Sequence, residues 1–239
     1  MYLTLVVRCQ LSLVLLQTPY GFLGRCYAYC VKGSTTDSSS RSRSQPRLER
    51  DHLVAVAAEL VDREGLQQLS LSRVAAAVDR HVSSLYNHVD GVDDLRREIA
   101  LQTVREVGEV LWRAVLGRSG EDALRSLVTT YREFIVTRQD RWQLVSMAPH
   151  TPEFRLLSER AFEAIEATVA SFGLEPGPAV HAHRILSSAV IGLATRFEPH
   201  LRPGDPSIDE TFEMLVVMFA ASLPELAKAS AATSTEAAP

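Results

Sequence analysis

The chain has 239 residues, 46% of them hydrophobic and 23% charged, which is the composition of an ordinary globular protein and not of a disordered or fibrous one. Its 25 basic residues against 29 acidic ones leave a net charge of −4, so the molecule as a whole is no basic coat for nucleic acid, and affinity for a polyanion has to come from a local patch. No phosphate-binding Gly loop, H-E-x-x-H or G-x-S-x-G is present, so nucleotide, zinc-protease and serine-hydrolase chemistries lack a motif; no catalytic residue, metal or cofactor is expected.

Residues 1–30 stand apart. They hold all three cysteines (Cys9, Cys26 and Cys30) and no acidic residue. The apolar run 11–16 is too short for a membrane helix, which needs about 20 apolar residues. Two readings are open: a secretory leader with Arg8 as its charged part, or an upstream extension without a fold of its own. The second is the expectation, because the small-residue cleavage site is poor. Cys26-x-x-x-Cys30 lacks the second ligand pair of a structural zinc site, so unpaired thiols are expected. Residues 33–46, GSTTDSSSRSRSQP, offer few apolar groups to offset the entropy of ordering, and 1–46 reads as a disordered extension and linker. Arg47 and Arg50 at its end are either solvated charges or an arm that meets DNA phosphates.

A first helix is expected over 48–64, where Leu53, Val56, Ala57, Leu60 and Val61 recur at i, i+3, i+4, i+7 and i+8, with Gly65 as its stop. The stretch 69–95, LSLSRVAAAVDRHVSSLYNHVDGVDDL, is the most informative in the chain. Ser70 suits the cap of a short helix whose apolar face is Val74, Ala75 and Val78. Asp79-Arg80-His81 interrupts the pattern, and Val82, Leu85 and Val89 then recur at i, i+3 and i+7. Two short helices about a tight turn make a helix-turn-helix, whose second helix enters the major groove of DNA.

On a helical wheel Val82 and Val89 fall within about 60° of Leu85 and face inward, while Ser83, Ser84 and Asn87 lie on the far side. Small polar groups would then face the groove floor, where hydroxyls pair with several bases and Asn suits adenine. Tyr86 and His88 flank the buried arc and would meet the phosphate walls, which position the protein without reading sequence. Val82 is either core or a partner for a thymine methyl. Over 41–90 seven Arg offset seven Asp and Glu, so the region is not strongly basic.

The rest of the chain reads as helix. Segments are expected from 93 or 94 to about 116, then 120–139, 153–172, 178–197 and 208–228. A bend at RWQLVSMAPHTP (141–152) and a break at 172–178 separate them, and 229–239 would be a disordered tail. No stretch shows sustained strand alternation, so the fold class is all-α. Trp112, Phe134, Trp142, Met147, His150 and Phe154 are candidates for the wall of a cavity, though aromatic stripes at helical spacing also make plain core. Leu186, Ala189, Val190, Gly192 and Leu193 form one apolar stripe, and Phe212, Leu215, Val216 and Phe219 a second.

The run 69–95, above all SLYNHV at 84–89, resembles the DNA-binding domain of the tetracycline-repressor-like (TetR) family of bacterial transcription regulators. The preceding helix and the downstream length also fit. The resemblance implies a three-helix DNA-binding domain over 47–92 and a helical effector-binding and dimerisation domain over 93–228. It also implies DNA contacts from Ser70, Ser72, Arg80, Val82, Ser83, Ser84, Tyr86, Asn87 and His88. Two departures stand out: Asp79 takes the place of the usual turn glycine, and Val92 that of the usual lysine, with Arg80 as a substitute cation. Asp tolerates the left-handed conformation better than most residues, so the turn remains feasible.

Residues 120–197 resemble, more loosely, the WHG-type C-terminal domain of the family, through Tyr131-Arg132, Trp142, His181-x-x-Arg184 and Gly192. That likeness implies a small-molecule effector and a homodimer in which the two apolar stripes form a four-helix interface. The expected protein is a cytoplasmic, ligand-responsive repressor on a palindromic operator and not an enzyme. The alternatives are a regulator without a small-molecule effector, or an α-helical small-molecule-binding protein or enzyme.

Overall fold

The computed structural model describes residues 49–236, and every regular element among them is helical. Helix α1 (Arg50–Glu64) buries Leu53, Val54, Ala57, Leu60 and Val61, the stripe expected except that Val54 replaces the half-buried Val56. Gly65 stops it at φ 90°, and its N–H caps the Val61 carbonyl at 2.9 Å. A single 3-10 turn (Leu66–Gln68) leads to α2 (Leu71–Ala77) and α3 (Val82–Leu85). Leu66, Leu69, Val74, Leu85 and Val89 meet α1 in one small core.

Helix α4 (Val92–Val115) is the axis of the rest. Its 24 residues run from the exit of the DNA-binding helices into the larger core, burying Leu95, Ile99, Val104, Val107 and Leu111 along the way. α5 (Gly120–Thr137), α6 (Gln139–Met147) and α7 (Pro152–Ala170) pack around it, α8 (Pro176–Gly192) packs on α5 and α7, and α9 (Ile208–Glu236) covers α5 and α8. Thr151 caps α7, accepting the Phe154 N–H at 3.1 Å, with Pro152 in the first turn where its missing N–H costs nothing.

Three expected boundaries are corrected. The segment expected as a bend holds α6, because Arg141, Trp142, Leu144 and Val145 all find buried places, and its prolines come after it, Pro149 in the connection and Pro152 at the start of the next helix. The helix expected over 178–197 starts at Pro176 and loosens after Gly192 into a π turn (Leu193–Phe197) and a 3-10 turn (Glu198–His200). The tail expected from 229 continues α9 through Glu236, a run rich in alanine, the strongest helix former. The extension expected over 1–46, with its cysteines, and Arg47 lie outside the described residues. Among the described residues no helix is long and apolar enough to cross a membrane, and no group of His, Cys, Asp and Glu is placed to hold a metal.

The start of α4 is tied down by charge. Arg50 of α1 lies 3.2 Å from both Asp94 and Glu98, and Arg97 lies 2.8 Å from each of them. Asp94 also accepts the Asp90 N–H at 3.1 Å, which closes the loop between α3 and α4. Burial works to raise the Asp94 carboxyl, but the Arg97 hydrogen bond, the Asp90 N–H and the charges of Arg50 and Arg97 outweigh it and hold it below the usual range. A depressed carboxyl contributes stability above its unfolded value, near pH 3.9, and that contribution fades as pH falls through the folded value. Asp94→Asn is therefore expected to cost about 1 kcal/mol at pH 7, a melting point lower by about 2–4 °C. The gap to wild type should narrow as pH falls through the lowered Asp94 value and close below it, where both side chains are neutral. Thermal melts from pH 7 to 2.5 check it; a gap that stays constant in acid would rule out an ionised Asp94 as its source.

Candidate DNA-binding and effector sites

The two short helices of the DNA-binding region are fixed from below by apolar contacts and from the ends by local hydrogen bonds. Ser70 is extended, and its hydroxyl accepts the Arg73 N–H at 3.4 Å; Ser72, two residues on, is exposed. In the turn the Arg80 N–H donates to the Ala75 carbonyl at 2.9 Å, and Asp79 takes φ 53°. Among the described residues it is the one non-glycine with positive φ, at the turn where the sequence sets an Asp in place of the expected glycine. A side chain there costs about 1–2 kcal/mol relative to the right-handed form, less for Asp.

Regular α3 is only one turn long, but helical bonding continues, since the His88 and Val89 N–H groups both donate to the Leu85 carbonyl, at 2.8 and 3.0 Å. Leu85 and Val89 are buried, and Val82 is half-buried against the same core. Ser83 and Asn87 are exposed, as is Tyr86 at 59%. His88 is half-buried. So is Ser84, whose hydroxyl donates to the His81 carbonyl at 2.5 Å, leaving its lone pairs for an incoming donor. The Arg80 guanidinium donates to the Asp79 carbonyl at 3.3 Å.

Arg50, expected at DNA, pairs with the two carboxylates of α4 described above, across 44 residues that sequence spacing does not bridge. Arg73 is likewise engaged by Glu64 at 2.9 Å.

A cavity of about 230 Å³ lies between α4, α5, α6, α7 and α8. Of the expected lining residues, Trp142, His150 and Phe154 meet there. Phe134 stands behind, packing edge-on against Trp142 at 6.4 Å between centroids. Two others are corrections. Met147, at the last turn of α6, points to water and is 71% exposed. Trp112 lies on the outer side of α4, with the Arg160 guanidinium 3.9 Å above its ring. Sequence reasoning missed the rest of the wall, among it Val104 and Val107 of α4, Tyr131 of α5, Phe162 of α7 and Ile191 of α8. Their spacing is that of ordinary core, so no sequence signal separates them from it. Burial pushes the Tyr131 phenol well above its ordinary value, so it remains a neutral hydroxyl.

Beside Trp142 sits Arg141, whose side chain is almost wholly buried. Its guanidinium reaches Asp62 of α1 at 3.2 Å, Glu106 of α4 at 2.6 Å and the Thr103 hydroxyl at 3.1 Å. The helix carrying the cavity's indole is thus bolted to the first helix of the DNA-binding region.

The expected dimer stripes divide between the chain's own core and its surface. Leu186, Val190, Phe212 and Val216 are buried inside the chain itself, and Ala189, Leu193, Leu215 and Phe219 are half-buried. Both helices are apolar on two sides, and periodicity does not say which side faces the chain's own core. The outward apolar face is Ile185, Met214, Val217, Met218 and Leu226, with Ile185 63% and Met218 61% exposed. A groove of about 700 Å³ runs between α8 and α9 along this face. Gly192 lies two helical turns after Ile185 along α8, with open space where a Cβ would stand.

Residues 124–219 match a family described as "Tetracyclin repressor-like, C-terminal domain". The chain is similar to an uncharacterized HTH-type transcriptional regulator of Mycobacterium tuberculosis, Rv0681, at 28% identity over 74% of this chain and 82% of that one. It is also similar to an uncharacterized HTH-type transcriptional regulator of Bacillus subtilis, YobS, at 24% identity over 74% and 93%. In fold it matches the Streptomyces coelicolor TetR family protein ActR in complex with (S)-DNPA, with a TM-score of 0.56 at 19% identity, covering 75% of this chain and 98% of that one. A helix-turn-helix with its polar residues outward, a tetracycline-repressor-like C-terminal domain at 124–219 and helix-turn-helix transcriptional regulators as relatives make the chain similar to the regulators of the TetR family.

Proposed function

We propose that the protein is a homodimeric repressor that grips a palindromic operator with two copies of the segment 82–89 and lets go when a small molecule enters the cavity beside Trp142. The observation that carries the reading is the arrangement of that segment: Leu85 and Val89 anchor it from below while Ser83, Tyr86 and Asn87 stand together in solvent. Residues 47–92 would be the DNA-binding domain and 93–228 the effector-binding and dimerisation domain. The outward faces of α8 and α9 would pair with their copies about a two-fold axis. The two recognition segments would then meet major grooves about one DNA turn, some 34–36 Å, apart. The ligand in the ActR structure supports a small-molecule effector here. An effector acts only as far as it binds one state better than the other, and Arg141 offers the route by which a shift of α6 reaches α1.

The test is selection of bound DNA from a random pool by the full chain, followed by the same selection with two variants. Wild type should return a palindrome. Tyr86→Phe should weaken all sequences alike, about 5–10-fold, because a phosphate hydroxyl contact carries no base information. Asn87→Ala should instead relax preference at one base pair in each half-site, worth about 1–3 kcal/mol of discrimination. Enrichment of no sequence by the wild-type protein would sink the reading, and a Tyr86→Phe protein with altered base preference would reverse the assignment of roles.

A further inference from the structure

We infer that the cavity beside Trp142 takes a small, uncharged, largely apolar molecule bearing one hydrogen-bond acceptor, which receives the Trp142 indole N–H. The inference rests on the reading of this cavity as the effector site.

Size sets the first limit. At about 230 Å³ the space exceeds the roughly 150 Å³ that holds a benzene ring and falls short of the 300 Å³ or more of a drug-sized pocket. It suits one ring, or two fused rings, with a short substituent.

Charge sets the second. No Asp, Glu, Lys or Arg lines the cavity; its walls are Val104, Val107, Phe154, Ala161, Phe162 and Ile191. The imidazole of His150 is exposed and tilted against the Phe154 ring, 5.1 Å between centroids. An ionised ligand would give up its hydration for no partner, which apolar walls do not offset.

The polar groups set the third. Ser158 donates its hydroxyl to the Phe154 carbonyl at 2.8 Å, and Ser146 donates to the Trp142 carbonyl at 3.1 Å, so both donors are taken by their own helices. Trp142 differs. It is 5% exposed, and among the described residues its Nε1 is the one buried side-chain nitrogen or oxygen with no hydrogen-bond partner. An indole N–H only donates. The Tyr131 and Phe134 rings pack against it edge-on, at 5.8 and 6.4 Å, and supply no acceptor. With the serine hydroxyls taken, the wall's donors are the Trp142 indole N–H and the neutral Tyr131 hydroxyl, and both select a neutral acceptor such as a carbonyl, ether or ring nitrogen on the ligand.

The experiment uses the full chain labelled with 15N at its two tryptophans, titrated with acetophenone, with cumene (the same shape without the carbonyl oxygen) and with benzoate. Trp142→Phe assigns the indole signals. The expected result is that acetophenone moves the Trp142 N–H resonance downfield, cumene binds without that shift, and benzoate does not bind. A double-mutant cycle cancels the different water affinities of the probes: Trp142→Phe should weaken acetophenone about tenfold more than it weakens cumene. Because the wild-type resonance is read directly, the result does not depend on how well the variant folds. Cumene and acetophenone binding with an unmoved indole signal and no difference in the cycle would overturn the acceptor while leaving the cavity as a ligand site. Benzoate binding as tightly as acetophenone would overturn the neutral ligand. If none of the three binds, the effector reading of the cavity falls with the inference.

Discussion

Ile185→Glu combined with Met218→Glu will give a monomer that melts like wild type yet has lost operator binding by a hundredfold or more. Both side chains project outward from α8 and α9, so the isolated fold makes little use of them and the carboxylates stay in water. In the proposed dimer they sit in an apolar seam, where each unpaired charge opposes association and two-fold symmetry applies every substitution twice. Linked binding heads gain a factor of about 10²–10⁴ over a single head, and that gain disappears with the dimer. Gly192→Leu should act in the same direction through bulk alone: its Cβ meets nothing within the chain, so the protomer tolerates it while the facing helix does not. Analytical ultracentrifugation with a DNA titration decides the matter. A double-glutamate protein that remains dimeric at low micromolar concentration would move the interface to another face.

The second large effect belongs to Arg141. Arg141→Leu removes the guanidinium that joins α6 to Asp62 and Glu106 and leaves two part-buried carboxylates facing each other. Breaking a fully buried ion pair costs about 3–5 kcal/mol. Here the Asp62 and Glu106 side chains keep 29% and 33% of their exposure, so water screens part of the loss and about 2 kcal/mol, some 4–8 °C in melting point, is expected. Asp62→Asn with Glu106→Gln in the Arg141→Leu background should restore most of that stability without restoring the tie. Under the proposed function, the restored protein binds effector in the cavity but no longer weakens its grip on DNA when it does. Operator affinity measured with and without a saturating cavity ligand gives the coupling ratio. A folded triple variant with the wild-type ratio would show that the signal travels by another route.

The DNA-binding region was legible in the sequence because its determinants are local. Ser70 as a cap, Asp79 in a left-handed turn and Leu85 with Val89 as the buried pair each follow from neighbours a few residues away. What escaped was set by partners far along the chain. Arg50 looks like a free cation until Asp94 and Glu98 are folded against it. The segment with α6 looked broken because its tryptophan and prolines were read together, whereas Trp142 is buried against Tyr131 and Phe134 from another helix. Half of the expected lining residues do line the cavity, because Trp142, His150 and Phe154 lie close in sequence. Trp112 and Met147 misled because an aromatic or sulfur side chain on an amphipathic helix is equally at home in core, cavity or surface. The stripes of α8 and α9 were real, but the same helices carry a second apolar side, and only packing decides which side the chain keeps for itself.

The length of α4 sets a scale for how little movement would be enough. Val104, in the cavity wall, lies 12 residues after Val92, or about 18 Å along the axis at 1.5 Å per residue. A rod pivoting there by about 5° carries its DNA-proximal end sideways by roughly 1.6 Å. In a two-fold pair the opposite swings add to roughly 3 Å, close to the 3.4 Å rise between successive base pairs. A ligand that tips α4 by about 5° at the cavity would therefore put the two recognition segments of the proposed dimer about one base pair out of step with their operator, with no helix needing to unwind.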